Sequence, residues 1–342
     1  MVNREFLLRK PLNEVIEKYA FIEDFLKNNS IEFKKNMSIE EIIFSYDEDI
    51  LEEKGLNRES FVENLVEFSE QMIDILGLDS SVVEEITILP GINKFGEKEK
   101  FDKIVIKKGE IVSIVGPTGS GKSRFLADIE WGAQNDTPTK RTILVNGEPL
   151  DKKSRFSSSN SLVAQLSQNM NFIMDLSVYE FLEMHAKSRM VENIELIVEK
   201  IFKKANELAG EKFEMNTPVT SLSGGQSRAL MIADTAILST SPIVLIDEIE
   251  NAGIDREKAL ELLVGEEKIV LMATHDPLLA LMGNKRIIIK NGGIYKIKEV
   301  SEDEKAILGD LSKLDSIVQK LRDQLRAGDE LKFKINELLW YY

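Results

Sequence analysis

Cysteine is absent from this chain of 342 residues, and histidine occurs twice, as His185 and His275. The first absence excludes disulfides, thiolate metal sites and cysteine nucleophiles; the second leaves no material for a multi-histidine metal centre. No apolar run approaches the ~20 residues of a membrane span, and the N-terminus lacks a signal-peptide pattern, so the expected location is cytoplasmic. Positive charge is in deficit, with 44 Lys and Arg against 59 Asp and Glu, a net charge of −15. Residues 1–90 hold about 21 of the acids and about 9 of the bases, roughly −12, and the rest of the chain is close to balanced. Phosphate contacts need clustered Lys and Arg, so no nucleic-acid partner is expected. The acidic arm reads either as a solvated helical surface or as a docking site for a partner protein.

What is present divides the chain into three. Over residues 1–88 apolar residues recur at helical spacing, as in Leu12, Val15, Ile16, Tyr19 and Ala20, and again in Phe61, Leu65, Phe68, Met72 and Ile73. Ser38 and Glu41 form a capping-box pattern at the start of a further helix. This predicts an acidic all-α domain of four or five short helices, with the boundary at Leu89-Pro90-Gly91. From 92 to 298 the pattern changes to apolar strands at 104–106, 111–115, 143–145, 243–246, 269–272 and 287–289, separated by helical runs. Such alternation predicts an α/β fold with a mainly parallel sheet covered on both faces. Over 301–342, Leu311, Leu314, Val318, Leu321 and Leu325 keep a 3-4 spacing, Gly328 is a helix stop, and a second helix runs toward Trp340. Two heptads are too few to establish a coiled coil, and a helical hairpin packed on the core is preferred.

The chemistry starts at Gly116-Pro117-Thr118-Gly119-Ser120-Gly121-Lys122-Ser123, a G-x-x-x-x-G-K-S pattern between a strand and a helix. Glycines there let backbone N–H groups converge on phosphates at a helix N-terminus; Lys122 reaches the β- and γ-phosphates and Ser123 ligates Mg2+. Asp247 ends an apolar strand, where a carboxylate faces the phosphate crevice and can hold Mg2+. Glu248, one residue on, is the candidate general base for an attacking water. Further along the chain, Leu222-Ser223-Gly224-Gly225-Gln226 opens a helix with backbone donors and a hydroxyl suited to a phosphate.

With these motifs in this order, residues 92–298 resemble the ATP-binding cassette (ABC) ATPases, and 222–226 match that family's LSGGQ signature letter for letter. The resemblance implies a phosphate-loop fold with a helical subdomain at about 169–222. It implies that Ser223, Gly224, Gly225 and Gln226 contact the γ-phosphate held by a second cassette subunit, identical or paralogous. His275, in Thr274-His275-Asp276, matches the switch histidine that hydrogen-bonds the γ-phosphate. Gln168 is the preferred coupling glutamine and Mg2+ ligand, with Gln165 kept open. Phe95 is the candidate aromatic for stacking on adenine, the alternative being a strand-edge core residue. Where the family shows a Ser-Ala-Leu-Asp-like turn, this chain has Glu250-Asn251-Ala252-Gly253-Ile254-Asp255, and Asp255 is expected to cross the dimer interface.

The implied activity is ATP hydrolysis with Mg2+, closing and opening a dimer. The preferred load is a soluble partner protein that the ATPase remodels, suggested by the acidic domain, the tail and the absence of a membrane segment. Residues 124–131 look like reactivase subunits of adenosylcobalamin aminomutases, which makes a cofactor-dependent enzyme the suggested partner. The N-terminal unit resembles a small helical domain of unknown function fused to redox and metal-linked proteins; that domain often carries Cys, absent here, and it implies no function. The alternative is the nucleotide-binding subunit of an ABC transporter whose membrane subunits are separate chains.

Overall fold

The computed structural model describes residues 4–53, 57–76, 83–150, 155, 162–167, 172–247, 253–328 and 330. Among the described residues six helices open the chain: α1 Arg4–Arg9, α2 Leu12–Lys18, α3 Phe21–Asn28, α4 Ile39–Phe44, α5 Glu48–Glu53 and α6 Arg58–Leu76. The count exceeds the expected four or five because Pro11, which fixes its own φ, caps α2 and separates it from α1. Ser38 and Glu41 close the expected capping box on α4. Asn57 Oδ1 accepts from Ser60 N at 2.7 Å at the start of α6, a cap that the sequence pattern did not reveal. Leu7, Phe21, Leu26, Ile42, Phe61 and Leu65 are among the buried residues of this unit, which has an apolar core of its own.

Two sheets come next, where one mainly parallel sheet was expected. An antiparallel sheet has the order β2-β1-β4-β5, from β1 Glu85–Leu89, β2 Ile104–Lys107, β4 Thr142–Val145 and β5 Glu148–Pro149. The strands expected at 104–106 and 143–145 belong here, because β1 runs between them and pairs antiparallel with both. β1 also places residues 85–89 with the sheets, ahead of the boundary expected at Leu89-Pro90-Gly91.

The second sheet has the order β10-β9-β3-β8-β7-β6: β3 Ile111–Val115, β6 Val163–Leu166, β7 Ile243–Asp247, β8 Ile269–Ala273, β9 Lys285–Lys290 and β10 Gly293–Glu299. Every pairing is parallel except β9 with β10, a hairpin with a bulge between Ile294 and Lys296. Buried strands such as β8 read as continuous apolar runs because both faces are covered. α7 Lys122–Glu130 packs against the face shared with the antiparallel sheet, through Phe125, Leu126 and Ile129. α11 Arg256–Gly265 and α12 Pro277–Met282 cover the other face through Ala259, Leu260, Leu263 and Leu279.

Among the described residues three α-helices build the helical subdomain: α8 Val178–Ser188, α9 Ile194–Leu208 and α10 Gly224–Ile237. Its core takes in Leu230 and Ala233 of α10, past the expected limit of 222. The chain then ends its described course in α13 Glu302–Ala327, stopped by Gly328 at φ +80° as expected. Most of the heptad row does not face the core: Leu314, Val318 and Leu325 are exposed, Leu311 and Leu321 are half-buried, and among the described residues of α13 Ile317 is the buried anchor. The second helix of the expected hairpin lies outside the described residues.

Candidate nucleotide site

Parallel strands carry their C-terminal ends to one edge, so the segments leaving β3, β6, β7 and β8 converge there. Ile114 of β3 is level with Ala273 of β8, and Ala273 is level with Asp247 of β7. Gly116, Thr274-His275, Asp247 and Ser167 thus emerge side by side. Gln168 and Glu248, expected at this edge, lie outside the described residues. Gln165 is an exposed residue within β6.

The phosphate loop runs from β3 into α7. A Cβ on Gly116 would stand 2.4 Å from Ile289 O and 2.6 Å from Ser120 Oγ, so a side chain there is excluded by close approach. Gly121, the N-cap of α7, has φ +108°, and a Cβ would meet Gly292 Cα at 2.8 Å. The β9–β10 turn braces the loop from behind, with Gly292 N donating to Ser120 O at 2.7 Å. Pro117, Thr118 and Gly119 form the exposed rim, whereas Ser120 and Lys122 are buried.

Lys122 Nζ donates to Gly116 O at 2.9 Å and lies 3.3 Å from His275 Nε2. An ammonium has no lone pair, so this contact needs Nε2 as acceptor and the ring proton on Nδ1. Lys122 of the loop and His275 therefore meet in one cradle. Thr274 fixes the histidine's base: its N–H donates to Ile114 O at 3.1 Å, and its Oγ1 accepts from Asp276 N at 3.0 Å.

A triphosphate fits these residues. Ser120 Oγ is buried without a hydrogen-bond partner among the described residues, and the glycine-lined backbone and the α7 N-terminus favour an anion. Mg2+ fits as well, since it is held by one or two protein oxygens with phosphates and water supplying the rest. Among the described residues no cluster of three His, Cys, Asp or Glu side chains could hold a metal alone.

Phe95 is 66% exposed, which removes the core-residue reading. Its loop is shaped by Asn93 Oδ1, which accepts from Phe95 N at 2.9 Å and Glu97 N at 3.1 Å. Lys94 N donates to Asn291 O at 2.9 Å, so the β9–β10 turn ties the Phe95 loop and the phosphate loop to one support.

Behind that support lies a charge cluster that sequence reasoning missed. Arg141 gives Nη1 to Asp128 at 2.8 Å and Nη2 to Glu99 at 2.5 Å, with all three side chains at 0–1% exposure. Glu99 also accepts from Gly91 N and Ile294 N, and Arg141 Nη2 donates to Gly292 O at 3.2 Å. One guanidinium thus joins α7, the Phe95 loop and the β9–β10 turn.

The signature opens α10. Ser223 is its N-cap in a capping box with Gln226, whose Nε2 also donates to Glu211 O and Lys212 O. Ser223 and Gly224 face solvent, at the positive end of a 14-residue helix. Arg228, also missed, reaches from this helix to Ser167 O at 2.8 Å. Asp255 N donates to Leu208 O, and its carboxylate caps α11 by accepting from Lys258 N.

Comparison with known proteins agrees with this geometry. A family model described as "ABC transporter" matches residues 102–251. An uncharacterized ABC transporter ATP-binding protein of Methanocaldococcus jannaschii is 53% identical over 249 residues, 73% of this chain and 95% of that protein. An energy-coupling factor transporter ATP-binding protein of the same organism is 30% identical over 59% of this chain and 74% of its own. A solved cassette, cbiO1 of Clostridium perfringens, described as part of the ABC transporter complex cbiONQ, superposes with a TM-score of 0.50 at 22% identity, covering 71% of this chain and 97% of that one. At that identity the likeness speaks for the fold.

Proposed function

The chain belongs to the ATP-binding cassette ATPases, and from that premise we propose that it is the ATP-hydrolysing subunit of a transporter, working as a pair of cassettes on separate membrane subunits. ATP binding and hydrolysis with Mg2+ are the family's activity. The transporter reading is carried by the 53% identical relative, an ABC transporter ATP-binding protein that aligns over nearly its full length. Among the described residues no helix is long and apolar enough to cross a membrane, which is consistent with membrane subunits on other chains. The reactivase reading of residues 124–131 finds no support in these relatives. The division into an N-terminal helical unit, a cassette and a tail belongs to the proposal.

Ser123 and Asp247, with Gln168, are the residues proposed to hold Mg2+, which when bound would supply positive charge against that developing on the phosphates. Lys122 leaves its bond to Gly116 O for the β- and γ-phosphates. His275, released from Lys122, turns its ring toward the γ-phosphate, and Glu248 accepts the proton of the attacking water. The exposed Ser223 and Gly224, with the half-buried Gly225, supply donors to the triphosphate of the opposite subunit, and Gln226 holds their turn by its capping bond. Asp255 faces the second cassette, and Phe95 stacks on the base. Loss of the γ-phosphate removes the charge that joins the two, and the pair opens.

Affinity purification of the full chain from its native host, with and without detergent, tests the load. An integral membrane chain recovered in detergent is expected; a soluble enzyme recovered in an ATP-dependent manner would instead support remodelling.

A further inference from the structure

His275 is followed by Asp276, whose two carboxylate oxygens have separate duties. Oδ1 caps α12, accepting from Leu278 N at 2.8 Å and Leu279 N at 3.4 Å. Oδ2 receives Arg256 Nη1 at 2.6 Å. Arg256 is the first residue of α11, directly after Asp255, so one guanidinium joins the segment leaving the β7 edge to the segment carrying the switch histidine. Its other amino group goes elsewhere: Nη2 meets Asp315 Oδ2 of α13 at 2.6 Å. The three side chains are 15%, 22% and 43% exposed, in the order Arg256, Asp276 and Asp315. Burial works against the Arg256 charge, but the two carboxylates outweigh it and hold its pKa above the ordinary value.

The tail helix is held twice. Near its start, Glu304 pairs with Arg286 at 2.6 Å and Lys298 at 3.1 Å, on β9 and β10. Farther along, Asp315 reaches Arg256, two residues from the buried Ile317. The first tether fixes the helix to the sheet, and the second reaches, through Arg256 of α11, the Asp276 carboxylate beside His275.

We propose that Arg256 is a positioning residue for His275 and that α13, through Asp315, sets the rate of ATP hydrolysis. This rests on the ATPase reading above. With Asp315 in place, the guanidinium is held at both ends, and its fork fixes the Asp276 carboxylate and hence the backbone next to His275. Without it, Arg256 gains rotamers that abandon Asp276, and the histidine loses a fixed approach to the γ-phosphate. A ring that must sit within hydrogen-bond reach of a reacting group is sensitive to such looseness. The effect belongs to turnover more than to nucleotide capture, because Lys122, although 3.3 Å from His275, keeps its own bond to Gly116 O, and the loop is braced by Gly292.

The test is steady-state ATP hydrolysis by the full chain, beginning with the native sequence. Asp315→Asn should lower kcat about fourfold, which at 1.36 kcal/mol per decade is about 0.8 kcal/mol, with KM for ATP changed less than about twofold. Asp315→Glu should restore the rate. Arg256→Gln should cost at least as much as Asp315→Asn, and the double variant no more than Arg256→Gln alone, as for residues acting in series. Glu304→Gln, which loosens the other tether, should leave kcat near native. An unchanged kcat in Asp315→Asn, losses that multiply in the double variant, or an equal loss in Glu304→Gln would overturn the inference while the ATPase reading stands. A native chain without ATPase activity would overturn both.

Discussion

Arg141 and Arg256 make a natural pair for comparison. Each guanidinium bridges two carboxylates, and each joins segments that are far apart in sequence. Arg141 and its partners are sealed from water behind the phosphate loop, where the guanidinium is compensated by two carboxylates within the protein. Arg256 sits beside the segment that carries His275, with its outer carboxylate 43% exposed. Burial decides what each can do. A sealed cluster holds its surroundings rigid, because loosening it strands a charge in a dry interior. A rim cluster can be loosened at low cost in folding, which suits it to adjusting a rate.

The largest expected effect is on the sealed side. Arg141→Ala should destabilise the full chain by about 3–5 kcal/mol, the scale of a broken buried ion pair, read as a lowered midpoint in denaturant unfolding. A loss below about 1 kcal/mol would erase the contrast between the two clusters. Next comes the chemistry both clusters serve: Glu248→Gln should slow hydrolysis by about 10²-fold or more, the general-base scale, while ATP binding is kept. Phe95→Ala should weaken ATP binding by about tenfold, about 1.4 kcal/mol, within the range for an aromatic stacked on a base, as measured with a fluorescent analogue. No change there would place the adenine elsewhere.

The smallest effect concerns the tail's first tether. Arg286, then Lys298, with help from Ser301 N–H, hold the Glu304 carboxyl at about 2, below its ordinary 4.5. A carboxylate lowered by folding lends its stabilisation fully above its unfolded pKa and loses it as pH falls through the folded one. The docking of α13 should therefore weaken between about pH 4.5 and 2, and Glu304→Gln should flatten that response, as measured by hydrogen exchange of the helix.

Much of the site was legible because it is local. The phosphate loop, the signature and the end of β7 each place their chemistry within a few consecutive residues, at the boundary of an apolar strand or a helix. What was not legible depends on chain crossings. Glu99 and Arg141 are 42 residues apart, Arg256 and Asp315 are 59, and Lys140-Arg141 reads in sequence as an ordinary solvated pair. β1 was merged with the helical region because its Glu-Ile-Thr-Ile-Leu alternation spans only five residues, and the Pro90-Gly91 turn signal after it looked like the boundary. In β10 the bulge at Tyr295 breaks the alternation that would have marked a strand. The heptad row of α13 is real in sequence, yet Ile317 and two ion pairs set the face that docks.

The account stands most directly on the pairing of cassettes around ATP. Sedimentation of the full-length Glu248→Gln variant, with and without Mg-ATP, addresses it. The prediction is a monomer that becomes a dimer on adding Mg-ATP and reverts when Ser223→Arg is added to block the signature. A protein that stays monomeric with saturating Mg-ATP, while the native chain hydrolyses ATP at a rate independent of its own concentration, would contradict it.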